Sequence, residues 1–275
     1  MSDKQQNLQL DIKRFKPTSK KLSKDKHVIV HISMVDYDSL LQMVSRPFDN
    51  CLTQAMRNTL KDVCEAVPNC MIGYAQSGEI DLVCDAEAIT NTASWHKNDS
   101  NKLVSTASSL VTAKFIGNFR EAVGSIPDIM RQSKYISIGD KFIFETEIYQ
   151  PETADIADYM RYQIKKAKMN FGKQLAYSKI EHGEHFENLE EKIREFSEIT
   201  SKDKKDIDGK KATSYQIYNT SGVLCMYQNA SRTVETSASG YNVTIRRSDW
   251  VIKRLDPRLV DMSKIIEDVM ELKVR

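Results

Sequence analysis

The chain has 275 residues, of which 40% are hydrophobic and 28% charged, with a formal net charge of +2. That balance is ordinary for a folded protein with an ample core and leaves no room for a low-complexity or disordered chain. The near-zero net charge excludes nucleic-acid recognition by bulk charge, so any basic surface has to be local.

Residues 1–27 carry Lys13, Arg14, Lys16, Lys20, Lys21, Lys24 and Lys26 with few apolar neighbours. They read as a flexible basic arm, either simply solvated or touching RNA. The arm has no apolar stretch of the kind a secretory signal needs. Val28-Ile29-Val30-His31-Ile32 is β-branched and largely apolar, which predicts a buried strand. After Arg46-Pro47-Phe48-Asp49, the residues Leu52, Ala55, Met56, Leu60, Val63, Cys64 and Val67 recur at helical spacing until Pro68 stops them. Two strands follow, Met71 to Ala75 and Glu79 to Cys84, joined by a turn at Gln76-Ser77-Gly78. A helix is expected from about Asn101 to Phe119, then a strand from Lys141 to Tyr149. Ala154 to Tyr177 reads as a lysine-loaded helix, and Phe186, Leu189, Ile193 and Phe196 mark another. Lys202 to Lys211 is a charge-dense loop containing Asp208-Gly209. Strands are expected at Tyr215–Tyr218, Val223–Tyr227, Thr233–Thr236 and Tyr241–Arg246, before a closing amphipathic helix from Arg258 to Leu272.

Cys51, Cys64, Cys70, Cys84 and Cys225 form no CxxC pair, and most lie in apolar runs. Free thiols in a reducing, cytoplasmic setting are therefore expected rather than a disulfide framework. No apolar run approaches the roughly 20 residues of a membrane helix. His182 and His185, with Glu181 and Glu184, lack further ligands at zinc spacing and read as an exposed helix start.

Three segments carry a family resemblance. Arg46-Pro47-Phe48-Asp49 resembles a basic-Pro-x-Asp turn. Tyr74-Ala75-Gln76-Ser77-Gly78-Glu79 resembles a Tyr-x-Gln-Ser-Asp-Glu hairpin. Lys102-Leu103-Val104-Ser105-Thr106-Ala107-Ser108 is similar to a Lys-x-x-Ser-x-x-(Ala/Ser) helix, with Trp95 upstream. In this order and spacing the chain resembles the tRNA-histidine guanylyltransferases, 3′–5′ nucleotidyltransferases that work in the reverse direction. The match is good over about a third of the chain and fades after residue 120.

The resemblance implies an α+β fold: a polymerase-like palm of antiparallel sheet backed by helices (28–150), with a C-terminal helical and β extension (151–275). It also implies two Mg²⁺ ions held by carboxylates, GTP or ATP as substrate, a tRNA partner and a homo-oligomer. Mg²⁺ is a hard ion that takes oxygen ligands and neutralises charge during phosphoryl displacement. The family's carboxylates are an Asp-Gly pair closing the first strand and the Asp of the hairpin. Here Ser33-Met34 and Gly78 stand in those places, beside a retained Glu79. Later motifs drift as well: Glu147 replaces an Arg, Tyr162 a Trp, Gln163 an Arg and Lys166 an Asp, and His31 stands where the family has Arg.

Asp36 and Asp81 are the acids nearest to a relocated metal site; the competing reading leaves them as solvated carboxylates. Arg46, Asp49, Lys102 and Ser105 match positions associated with the nucleotide and its phosphates. Lys102 and Ser105 read equally well as the plain polar start of a helix. Lys165, Lys166, Lys168 and Lys173, interleaved with Tyr159, Tyr162 and Tyr177, suit either an RNA backbone or a solvated helix face. The expected function is a guanylyltransferase-like protein that binds nucleotide or RNA with weak or lost transferase chemistry. An active 5′-end transferase with a moved metal site and a non-catalytic interaction scaffold or ligand decoy are the alternatives.

Overall fold

The computed structural model describes residues 22–23, 26–85, 99–198, 221–235, 242–254 and 261–272. Trp95, the loop around Asp208-Gly209, the strand expected at Tyr215–Tyr218 and nearly all of the basic arm lie outside these residues.

Six antiparallel strands form one sheet: β1 (Val28–Met34), β2 (Cys70–Gln76), β3 (Glu79–Cys84), β4 (Phe144–Tyr149), β5 (Val223–Glu235) and β6 (Asn242–Arg254). Their order across the sheet is β4-β1-β3-β2-β5-β6. Of the four short strands expected between 215 and 254, Val223–Tyr227 lies within β5, which runs unbroken from Val223 to Glu235, and the described parts of Thr233–Thr236 and Tyr241–Arg246 belong to β5 and β6. β5 pairs with β2, so residues on both sides of position 150 build the same sheet.

The helices are α1 (Tyr37–Leu41), α2 (Asn50–Ala66), α3 (Ser100–Gly124), α4 (Ile129–Ile136), α5 (Thr153–Glu181), α6 (Leu189–Ser197) and α7 (Met262–Leu272). Acid or amide side chains start five of them by accepting from first-turn amides that have no intrahelical partner. Asp49 caps α2, Asp99 caps α3, Asp128 caps α4, Asn188 caps α6 and Asp261 caps α7. Periodicity does not foretell α1 or α4: five and eight residues are too few turns to draw a stripe. α3 and α5 run several residues past their expected ends, because their last turns pack on neighbours.

Alternation along the strands divides the core in two. Val28, Val30, Ile32 and Met34 face α2 and α3, over a ring cluster in which Phe142 meets Phe115 (4.8 Å) and Phe119 (4.7 Å) edge-on. Each such buried ring contributes about 1.5–3 kcal/mol by burial alone. Ile29, Ile72, Tyr74 and Val83 face the other way, under α5 and α7. A smaller cluster joins α5 to α6 through Phe171, Leu175 and Phe196, and Phe48 stacks on Phe171 at 4.9 Å. Order begins before Val28: Leu22 is buried, and the Ser23 backbone exchanges hydrogen bonds with the Gln150 side chain (2.8 and 2.9 Å).

Candidate functional site

The sheet face under α5 carries two polar rows read directly from strand register. One row is Glu145, Ser33, Glu79 and Gln76 across β4, β1, β3 and β2; the next is Glu147, His31, Asp81 and Tyr74. Lys166 on α5 reaches down to pair with Glu79 at 2.5 Å, and the Gln76 side-chain amide donates to the other Glu79 oxygen at 2.7 Å. Asn170 donates to Gln76 at 3.2 Å. Among the described residues Ser33 has only a long contact to Glu145, at 3.5 Å.

Asp81 is fully buried beneath this row. One of its oxygens accepts from Tyr159 (2.6 Å) and Gln163 (3.5 Å) and meets His31 Nδ1 at 2.7 Å, while Gln163 also donates to the Tyr159 hydroxyl (2.8 Å). Burial alone would lower the His31 pKa, but the charge and hydrogen bond of Asp81 outweigh it and raise the value above 6.5. Burial and the neighbouring Asp81 push the Tyr159 phenol well up, so it stays a neutral donor.

Gly78 explains itself sterically. A Cβ placed there would lie 2.5 Å from Tyr37 Cδ2 and 2.8 Å from Cγ, so the Tyr37 ring fills the space an aspartate would need. Asp36, beside it, is exposed and left-handed (φ 54°), and its side chain does not cap α1.

These groups do not suit a divalent ion. Ser33 is neutral, Gly78 is covered by a ring, Glu79 is held by a lysine and an amide, and Asp81 is tied to a histidine and a phenol. Among the described residues no group of three or more His, Cys, Asp or Glu is placed to hold a metal. The residues do not fit a two-metal centre.

The nucleotide candidates separate. Asp49 is buried and spent on structure: it caps Leu52 (2.9 Å), accepts from the Ser45 amide (3.2 Å) and takes the Tyr135 hydroxyl. Arg46, joined to Pro47 by a cis peptide bond, faces α5 and pairs with Glu181 at 2.6 Å. Lys102 and Ser105 are exposed at the opposite end of α3. Ser108 meets Thr146 (2.8 Å), Thr112 meets Phe144 (3.2 Å) and Phe119 stacks on Tyr135 beside Asp49, so Lys102 lies about 25 Å along the helix from that segment. The structure does not bring Arg46 and the Lys102/Ser105 pair into one pocket.

A different cation joins Arg46. Lys173 on α5 and Arg46 line one cleft of about 440 Å³ with Asp38, Tyr177 and Glu181, between α1 and the second half of α5. Sequence reading places Lys173 with the RNA candidates; its helical offset of seven from Lys166 was the available signal that both turn to the sheet. On the same helix, Lys165 and Lys168 have no ion pair among the described residues, and Lys165 is exposed. The His31–Asp81 pair escaped sequence reading, since Asp81 was visible only as an acid sharing the Glu79 face.

The antiparallel sheet with its packed helices is an α+β, palm-like fold. The sequence profile of the tRNAHis guanylyltransferases (Thg1) matches residues 10–151, just over half of the chain, and the chain belongs to that family. Solved structures of similar fold include a bacterial tRNA(His) guanylyltransferase (Thg1)-like protein in complex with ATP. It has a TM-score of 0.61 and 19% identity over 91% of this chain and 92% of that one. A structure of a bacterial Thg1-like protein in complex with GTP gives 0.59 and 18% over 92% of each. The tRNA(His) guanylyltransferase of Saccharomyces cerevisiae gives 0.54 and 14%, over 78% of this chain and 92% of that one. No curated protein matches by sequence. No helix among the described residues is long and apolar enough to cross a membrane.

Proposed function

We propose that this chain is a nucleoside-triphosphate-binding member of its family that has lost the metal-dependent transfer step. The observation that carries the reading is a contrast within one face. The carboxylate positions are replaced, capped by Tyr37 or neutralised by Lys166, while Arg46 and Lys173 converge on an open cleft beside them. Cationic side chains hold phosphate oxygens by charge-assisted hydrogen bonds without an ion's help, though less tightly. Tyr177, 40% exposed, offers a ring on which a base can stack. The ATP and GTP complexes of the bacterial relatives support the choice of ligand.

Calorimetry with ATP and GTP, in EDTA and again in Mg²⁺, tests this. Binding of similar strength in both buffers is expected, with a rise in melting temperature because a ligand of the native state stabilises it. Replacing both Arg46 and Lys173 by Ala abolishes binding without unfolding the chain. Absence of binding at millimolar nucleotide, or binding wholly dependent on Mg²⁺, refutes the reading. In parallel, the protein is expected not to extend a tRNA 5′ end with GTP and Mg²⁺; turnover like that of a relative with both aspartates would return it to the active enzymes.

A second reading, RNA binding, rests on Lys165 and Lys168, which turn away from the ion-paired side of α5.

A further inference from the structure

We propose that Asp38 and Glu181 are built-in competitors for the phosphate groups of the cleft's ligand, each occupying a cation that the ligand must win. This rests on the nucleotide-binding reading of the cleft and adds to it which side chains set the affinity. Two ion pairs line the same cavity: Lys173 to Asp38 at 2.8 Å and Arg46 to Glu181 at 2.6 Å.

The partners in each pair are unequally fixed. The Arg46 side chain is only 20% exposed, and its Nε also donates to the Leu41 carbonyl at 3.2 Å, so it stays in place without Glu181. Lys173 is 42% exposed. Glu181 is 51% and Asp38 73% exposed, so the carboxylates are the arms free to swing into water. An exposed ion pair is worth little, so a phosphate group bringing at least equal charge displaces the carboxylate readily. Each displaced carboxylate nevertheless weakens the ligand's apparent affinity by the strength of the pair it breaks.

The consequence depends on ligand length. A triphosphate long enough to reach both cations displaces both carboxylates, whereas a monophosphate displaces one. Removing the competing charges therefore tightens triphosphate by the product of two factors and monophosphate by a single factor.

The test is calorimetry of inorganic tripolyphosphate, ATP and AMP, in EDTA, with the full chain and its Asp38→Asn, Glu181→Gln and double variants. These amides are near-isosteric and exposed, and circular dichroism confirms folding. Each single variant is expected to tighten tripolyphosphate and ATP roughly two- to fivefold, and the double variant roughly four- to twenty-fivefold. AMP is expected to gain only the smaller factor. Glu184→Gln, which removes an acid paired with Lys179 outside the cleft, is expected to change nothing. Equal or weaker triphosphate binding in the double variant, against a wild type that binds, overturns the competitor role and leaves nucleotide binding standing. Equal tightening in Glu184→Gln overturns it too, by reducing the effect to a general field. No binding in any protein removes both.

Discussion

His31 and Asp81 form the most consequential pair at the residue scale. A carboxylate fully removed from water is costly unless it is paired, and His31 is its cationic partner whenever the imidazole is protonated. Because the folded-state pKa of His31 lies above 6.5, the pair's stabilisation is complete below 6.5 and is lost as pH rises through that raised value. The unfolding midpoint is therefore expected to fall as pH climbs above 6.5, and His31→Asn to remove this component. At pH 6 that substitution leaves Asp81 uncompensated and is expected to cost on the order of 3 kcal/mol in chemical denaturation. A flat pH profile in the wild type would count against the charged pair. Gly78 makes a second residue-scale prediction. Its missing Cβ is where the Tyr37 ring stands, so Gly78→Ala is expected to destabilise by about 1–3 kcal/mol. Gly78→Asp alone is expected to unseat α1 rather than restore chemistry. If Gly78→Ala unfolds at the wild-type denaturant concentration, Tyr37 is not the barrier.

Among the elements, α5 does the most varied work, because its faces meet three different surroundings. Its inner face carries Tyr159, Gln163, Lys166 and Lys173 to the sheet and cleft. Another side presses against α6 at Gly172, where an added Cβ would sit 2.4 Å from the Ile193 carbonyl oxygen and 2.9 Å from the Ser197 amide nitrogen. Backbone cannot yield as a flexible side chain does, so Gly172→Ala is expected to release α6 and speed hydrogen exchange across Leu189–Ser197. Unchanged exchange there would show that the helices can spread without loss. The remaining side holds Lys165 and Lys168. If it follows an RNA backbone, tRNA affinity falls steeply with salt, and reversing both lysines to Glu weakens it further. Equal affinity in that variant assigns the lysines to solvent.

Across the whole molecule, one sheet integrates segments that look separable in the linear order. β5 and β6, from the C-terminal third, continue the sheet past β2, and α5 bridges strands from both halves. This is why the polar face, rather than any one motif, governs the proposed ligand chemistry. It also brings Lys166, which stands where the family resemblance implies an Asp, against Glu79 from a segment far along the chain.

Much was legible from residue order alone. The stripe from Leu52 to Val67, the alternation in β4 and the hairpin around Gly78 predicted their elements, since burial periodicity is a local property. Three short motifs in the right order identified the family. What sequence could not decide was which charged groups meet. Arg46 and Lys102 look like partners because both match nucleotide positions, yet Lys102 lies about 25 Å along α3 from Phe119 and does not line the cleft that holds Arg46. Lys173 looks like part of a basic helix, yet its turn of α5 brings it to Arg46 and Asp38. Residue order determines which face a side chain takes on its own helix or strand. Only the packing of those elements against one another decides which cation finds which carboxylate, because Coulombic pairing depends on separations set by the tertiary fold.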